Sequence, residues 1–191
     1  DLSTDTVSGI TAFSGTYEFG WVAASNSTAA RLHGTREAFS STARKYTYAT
    51  GVSANSATTM TAAGYRAAAQ SATVGYWFSG FIAYAPTSAV DKITWSSDAR
   101  SAGTSLSSSR YLAAACGNTT RAIIGGGYDA SPAFLSSTRK YTSSGDTVAA
   151  GTALSSTRSE HAAAGDTTRG IITSTTAATD KYTYSSDTRA A

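Results

Sequence analysis

The chain has 191 residues, a formal net charge of +3 and only 14% charged residues, against roughly 25% in a typical soluble domain. Ser, Thr, Ala and Gly take their place, so solubility rests on hydroxyls more than on charge, as is common in β-rich surface and extracellular proteins. Dispersed basic residues argue against nucleic acid as a partner, no apolar run approaches the ~20 residues that span a bilayer, and a single cysteine excludes an intramolecular disulfide.

The chain starts at Asp1 rather than Met, as expected of a processed protein or a piece of a longer one. Its first segment, Asp5-Thr6-Val7-Ser8-Gly9, returns as Asp146-Thr147-Val148-Ala149-Ala150 and as Asp187-Thr188-Arg189-Ala190-Ala191. A second marker punctuates the rest: Lys45-Tyr46-Thr47-Tyr48, Lys92-Ile93-Thr94-Trp95, Lys140-Tyr141-Thr142-Ser143 and Lys181-Tyr182-Thr183-Tyr184, with lysines 47, 48 and 41 residues apart. A period of this size implies an array of equivalent units, each unable to bury its apolar face alone. The repeats run over 17–63, 64–109, 110–157 and 158–191, the last joined by 1–16.

Within each unit the elements follow one order. In the first, the turn Ser25-Asn26-Ser27-Thr28-Ala29 precedes Arg31-Leu32 and His33-Gly34. In the second, Ser71-Ala72-Thr73-Val74-Gly75 precedes Trp77-Phe78 and Ser79-Gly80. The third is clearest: an apolar run from Arg110 to Cys116 reads as a buried strand, Gly117-Asn118-Thr119-Thr120 as a turn, and Arg121-Ala122-Ile123-Ile124 as a strand entering Gly125-Gly126-Gly127. A loop through Asp129-Ala130-Ser131-Pro132 leads to a third strand at Lys140, and Ser144-Gly145-Asp146-Thr147 turns into a fourth. The fourth unit repeats this with Gly165-Asp166-Thr167-Thr168-Arg169 and Ile171-Ile172. Asp98, Asp146 and Asp187 share one turn position. Four short strands per unit is the spacing of a propeller blade.

This pattern resembles the kelch motif: Arg110 or Arg158, a small apolar strand, a turn, an apolar strand ending in glycines, then Lys-Tyr-Thr and an aspartate turn. The chain departs from the motif where the double glycine is lost outside the third unit, where Val148, Arg100 and Arg189 replace the late Trp, and where Gly64 stands in for the arginine. The resemblance implies an all-β, kelch-like β-propeller of about four blades of four antiparallel strands, or a segment of a larger ring. Such Ser/Thr/Ala-rich versions look like those of bacteriophage tail and virion proteins and of bacterial surface proteins. They imply a non-enzymatic structural or adhesive module, extracellular or on a virion surface, binding a surface glycan or protein through blade loops and self-associating through exposed strand edges. The alternatives are a kelch-propeller carbohydrate-active enzyme, an oxidase or lyase, and an intracellular protein-binding scaffold.

Candidate chemistry is sparse. His33 and His161 are the only histidines, too few for a metal set, and no cofactor is expected. Ser159-Glu160-His161 lacks a nucleophile elbow. Gly125-Gly126-Gly127 is followed by Tyr128-Asp129 instead of Lys-Ser/Thr, so it reads as a crowding point or bend and not as a phosphate loop. Cys116 reads as a small core hydrophobe. Asn26-Ser27-Thr28 and Asn118-Thr119-Thr120 match a glycosylation sequon, but turn chemistry explains both. Strand aromatics Tyr46, Tyr48, Trp95, Tyr141, Tyr182 and Tyr184 are expected to pack between adjacent blades, and Arg110 and Arg158 to donate to backbone carbonyls. Tyr76, Phe81, Tyr84, Tyr128 and Asp129 differ between copies, and aromatic faces beside a carboxylate make these five the candidate ligand-binding residues.

Overall fold

A computed structural model describes residues 22–25, 29–33, 41–131, 133–159, 162–173 and 179–190. These are all-β: four separate four-stranded antiparallel sheets, with no helix. The first sheet holds β1 (Val22–Ser25), β2 (Ala29–His33), β3 (Thr42–Thr47) and β4 (Val52–Thr59); the second β5 (Ala67–Gln70), β6 (Val74–Ile82), β7 (Ala85–Thr94) and β8 (Ala99–Gly103). The third holds β9 (Ala114–Gly117), β10 (Arg121–Gly125), β11 (Thr138–Thr142) and β12 (Thr147–Gly151); the fourth β13 (Ala163–Gly165), β14 (Arg169–Ile172), β15 (Asp180–Thr183) and β16 (Thr188–Ala190). Each sheet is a meander, its strands paired in chain order.

The last hairpin of every sheet is the best-conserved local device. Thr94 pairs with Ala99, and Thr142 with Thr147, across four-residue loops that close on Asp98 and Asp146. Asp98, Asp146 and Asp187 have φ of 55°, 48° and 54°, and Gly51 takes the same place in the first sheet with φ 65°. Asp and Gly tolerate this left-handed conformation better than branched residues do. The shared aspartate turn is therefore observed in the last three sheets, whereas Asp5 lies outside the described residues.

The sheets stack face to face in chain order through three apolar clusters. Ala43, Met60, Trp77 and Ile93 join the first two sheets. Tyr76, Phe78, Val90 and Leu106 meet Ala122, Ile124 and Tyr141 between the second and third. Cys116, Ile123 and Leu154 meet Ile172, Tyr182 and Tyr184 between the third and fourth. Strand alternation makes this possible: on β6, Tyr76 and Phe78 face one neighbour while Trp77 faces the other. Both faces of β6 and β10 are buried, so these strands read as continuous apolar runs. The first strands also touch in order, β1 to β5, β5 to β9 and β9 to β13. Two ion pairs cross between sheets at the aspartate turns, Lys92 to Asp146 at 2.6 Å and Lys140 to Asp187 at 3.1 Å.

The strand aromatics behave mostly as expected. Tyr141, Tyr182 and Tyr184 are buried between sheets and Trp95 packs against the first cluster, but Tyr48 is 46% exposed beside Tyr46. The second unit's register differs from the sequence superposition by one residue. Ser71 N donates to Val74 O as Asn118 N does to Arg121 O and Asp166 N to Arg169 O. Ser71 thus matches Asn118, not Gly117, and its hydroxyl accepts from Val74 N at 3.1 Å as the Asn118 Oδ1 accepts from Arg121 N at 3.0 Å. It follows that Tyr76 and Trp77, not Trp77 and Phe78, correspond to Ile123 and Ile124.

Candidate functional site

The same one-residue correction moves the paired glycines. Ser79 and Gly80, with φ of 52° and 117°, correspond to Gly126 and Gly127, with φ of 64° and 91°. A Cβ on Gly80 would lie 2.5 Å from Gly64 O, and one on Gly127 2.5 Å from Tyr111 O, so both backbones bend where another strand presses against them. This close approach creates short antiparallel bridges beyond the sheets, Gly64 with Phe81 and Tyr111 with Tyr128, the latter pair exchanging hydrogen bonds of 3.0 and 2.9 Å. Tyr128 also bridges to Phe134.

Those bridges gather five aromatic rings from the second and third sheets into one row. Centroids of Tyr65 and Phe81 are 6.4 Å apart, and those of Phe81 and Tyr111 4.8 Å. Tyr111 stacks on Tyr128 at 5.3 Å with planes 20° apart, and Tyr128 meets Phe134 at 4.6 Å. Phe134 is 52% exposed, while the four others are half-buried. Ring neighbours and partial burial push the Tyr111 phenol above its ordinary pKa, with burial first and Tyr128 and Tyr65 adding to it. The row offers flat, amphipathic faces with hydroxyls along it, the combination that stacks on apolar sugar faces while satisfying polar edges.

Of the five residues expected from the sequence, Phe81 and Tyr128 stand in this row at corresponding places. Tyr84 lies at the tip of the β6–β7 hairpin and is 87% exposed. Ile82 pairs with Ala85, so Ala83 and Tyr84 form a two-residue turn with φ of 46° and 68°. Asp129 follows Tyr128, but its Oδ1 is engaged locally, accepting from Ser131 N at 2.9 Å, Ser131 Oγ at 3.0 Å and Ala133 N at 3.4 Å. The Ser131 backbone and hydroxyl bonds hold its carboxyl below the usual range. Asp129 therefore staples its own loop.

Tyr76 requires correction. It is a β6 core residue at 3% exposure, stacked 5.9 Å from Phe78 and 5.0 Å from Tyr141, and no ligand reaches it there. Its aromatic neighbours in sequence made it look like part of a variable loop. Conversely, Tyr65, Tyr111 and Phe134 were missed. Tyr65 and Tyr111 stand next to the strand-opening Gly64 and Arg110, and their near-period separation was the available signal.

Beside the row lies a set of buried arginines. Arg158 is 5% exposed and Arg110 fully buried. Arg158 donates to Thr173 O at 3.3 Å and Arg110 to Gly126 O and Ser137 O at 3.1 and 3.0 Å, as expected of carbonyl-binding arginines. In the second sheet Arg66 does this work from a shifted position, donating to Trp77 O at 2.7 Å. Arg66 and Arg158 each meet a buried carboxylate, Asp91 and Asp180, and each carboxylate also takes a second arginine, Arg100 or Arg189.

Other candidates resolve simply. Cys116 is buried against Gly170 and Tyr184, and burial pushes its thiol up to about 11. Asn118 caps its hairpin and sends Nδ2 to Thr167 O at 2.9 Å. Among the described residues no group of three or more His, Cys, Asp or Glu is placed to hold a metal. Glu160 and His161, the His33 side chain and Asn26-Ser27-Thr28 lie outside the described residues. No protein-family model matches the chain, and no curated protein matches it.

Proposed function

We propose that the four stacked sheets are consecutive blades of a kelch-like β-propeller, or of a segment of a larger ring, and that the chain is a non-enzymatic recognition module of an extracellular or virion appendage. The ordered contact of first strands with one another supports the blade reading, since blades converge at their inner strands. The aromatic row carries the functional reading: five rings contributed by β6 and by the bridged segments flanking the second and third sheets, with Tyr84 exposed at the tip of the β6–β7 hairpin, suit a surface glycan. Function rests on this site and not on the fold.

The test is saturable binding of the purified chain to an array of microbial and host glycans, repeated with Tyr128→Ala and with Tyr48→Ala as a distant aromatic control. Binding lost with Tyr128→Ala and retained with Tyr48→Ala supports the reading. Equal binding by both variants removes the row from recognition.

A further inference from the structure

The third sheet breaks an electrostatic rule that its neighbours keep. Asp91 pairs across its strand with Trp77, and Asp180 with Ile172; in the third sheet the residue at that place, paired with Ile124, is Arg139. The outer arginine is lost as well: Arg100 and Arg189 correspond to Val148, which faces Tyr141 as they face Ile93 and Tyr182. In the second and fourth sheets two guanidinium groups share one carboxylate. In the third, Arg110 and Arg139 share only a hydroxyl, Ser108 Oγ, at 3.2 and 3.0 Å. Among the described residues no carboxylate forms an ion pair with either; the Nε of each is buried without a hydrogen-bond partner, a feature Arg66 and Arg189 share, so the missing carboxylate is what sets this pair apart. Burial first, and Arg139 second, lower the Arg110 pKa to about 10, with the Asp129 carboxylate acting the other way.

The pair sits at the aromatic end of the molecule. Arg110 precedes Tyr111, and its Nη1 donates to the carbonyl of Gly126, two residues before Tyr128. Arg139 is partly exposed, whereas Arg110 is fully buried behind it. Guanidinium forks with neighbouring serine hydroxyls are suited to a planar or tetrahedral oxyanion.

We infer that Arg110 and Arg139, with Ser108 and Ser137, bind the anionic group of an acidic saccharide, taking the place that Asp91 and Asp180 fill in the neighbouring sheets. The anion follows from the arginines alone; that it is carried by a sugar rests on the aromatic row being a glycan platform.

The experiment titrates sodium glucuronate, glucose and sodium sulfate into wild type, Arg139→Gln, Arg139→Asp and Tyr128→Ala by calorimetry, with a thermal melt of each variant. Wild type is expected to bind glucuronate at least about tenfold more tightly than glucose, which is about 1.4 kcal/mol. Arg139→Gln removes that preference. Arg139→Asp also removes it while raising Tm, because Arg110 gains the carboxylate that Arg158 has in Asp180. Equal affinity for glucuronate and glucose in wild type, or a preference that survives both Arg139 variants, overturns the inference. Sulfate bound as tightly as glucuronate overturns the sugar assignment. Tyr128→Ala separates the two readings: it is expected to weaken both sugars and leave their ratio unchanged, and no effect of it would sink the aromatic platform alone.

Discussion

Asp91 and Asp180 are fully buried, and each is charged only because of what surrounds it. The Asp91 Oδ1 accepts from Thr61 Oγ1 at 2.9 Å and Arg100 Nε at 2.6 Å, and its Oδ2 from Thr61 N at 3.0 Å and Arg66. Asp180 repeats this with Ser155 N and Oγ at 3.1 and 3.0 Å and with Arg158 and Arg189, both at 2.8 Å. Burial pushes both carboxyls up, but the arginines and hydroxyls outweigh it and both end below the ordinary carboxylate pKa. An unfolded aspartate titrates near ~3.9. Because the folded pKa is lower, this stabilisation is complete above the unfolded value and is lost as pH falls through the folded one. Asp91→Asn is expected to cost about 3–5 kcal/mol at neutral pH, since it leaves Arg66 buried and unpaired. Urea unfolding at pH 7 and at about pH 2.5 checks this, with the difference between variant and wild type shrinking in acid. A loss of equal size at both pH values would locate the effect in packing instead of charge.

At the scale of elements, the β6–β7 hairpin stands out because its two turn residues both have positive φ and neither is Gly, Asn or Asp. A left-handed conformation costs a non-glycine residue about 1–2 kcal/mol, and Asn-Gly is the favoured pair for this turn class. Replacing Ala83 by Asn and Tyr84 by Gly together is expected to raise unfolding free energy by about 1–2 kcal/mol at constant m-value. No gain in the urea midpoint would show that the Tyr84 side chain returns what its backbone costs. The combination of strain and 87% exposure fits a residue retained for contact with a partner. The hairpins also show what was legible beforehand. Aspartate six residues after the lysine of the recurring motif announced the last turn of the second, third and fourth units, because left-handed backbone leaves a compositional trace. The one-residue register of the second unit left none: Ser71 performs by its hydroxyl what Asn118 and Asp166 perform by a side-chain carbonyl or carboxylate oxygen, and an alignment of residue types passes over it. Arg66 was not recognised as the second unit's arginine because it follows Gly64, the counterpart of Tyr111, whereas Arg110 precedes Tyr111. The aromatic row was half legible, since Phe81 and Tyr128 signalled exposure by type, whereas the bridges that bring Tyr65 and Tyr111 beside them depend on the Gly80 and Gly127 backbones.

At the scale of the molecule, among the described residues each sheet buries its faces against the sheets before and after it. Such an array has nearest-neighbour energetics: stability is a sum of unit and interface terms, and damage at one interface need not spread. Ile172 offers the sharpest probe. It is fully buried in the cluster joining the third and fourth sheets, while the second–third cluster shares no residue with it. Truncation of a buried isoleucine costs about 2–5 kcal/mol. The far side of the fourth sheet is partly open, where Ile171 is 39% exposed and, among the described residues, Lys181 lacks the cross-sheet aspartate that Lys92 and Lys140 have. Ile172→Ala is therefore expected to release the amides of β14 and β15 to hydrogen exchange while β6 and β10 keep their protection. Uniform loss of protection across all four sheets would mean that they unfold as one cooperative body, the behaviour of a closed ring in which every sheet has two neighbours. Selective loss means that the fourth sheet ends an open stack. Its exposed lysine and isoleucine would then be the natural seat for a further sheet carrying the same aspartate turn, because a carboxylate there would complete the pairing already made by Asp146 and Asp187.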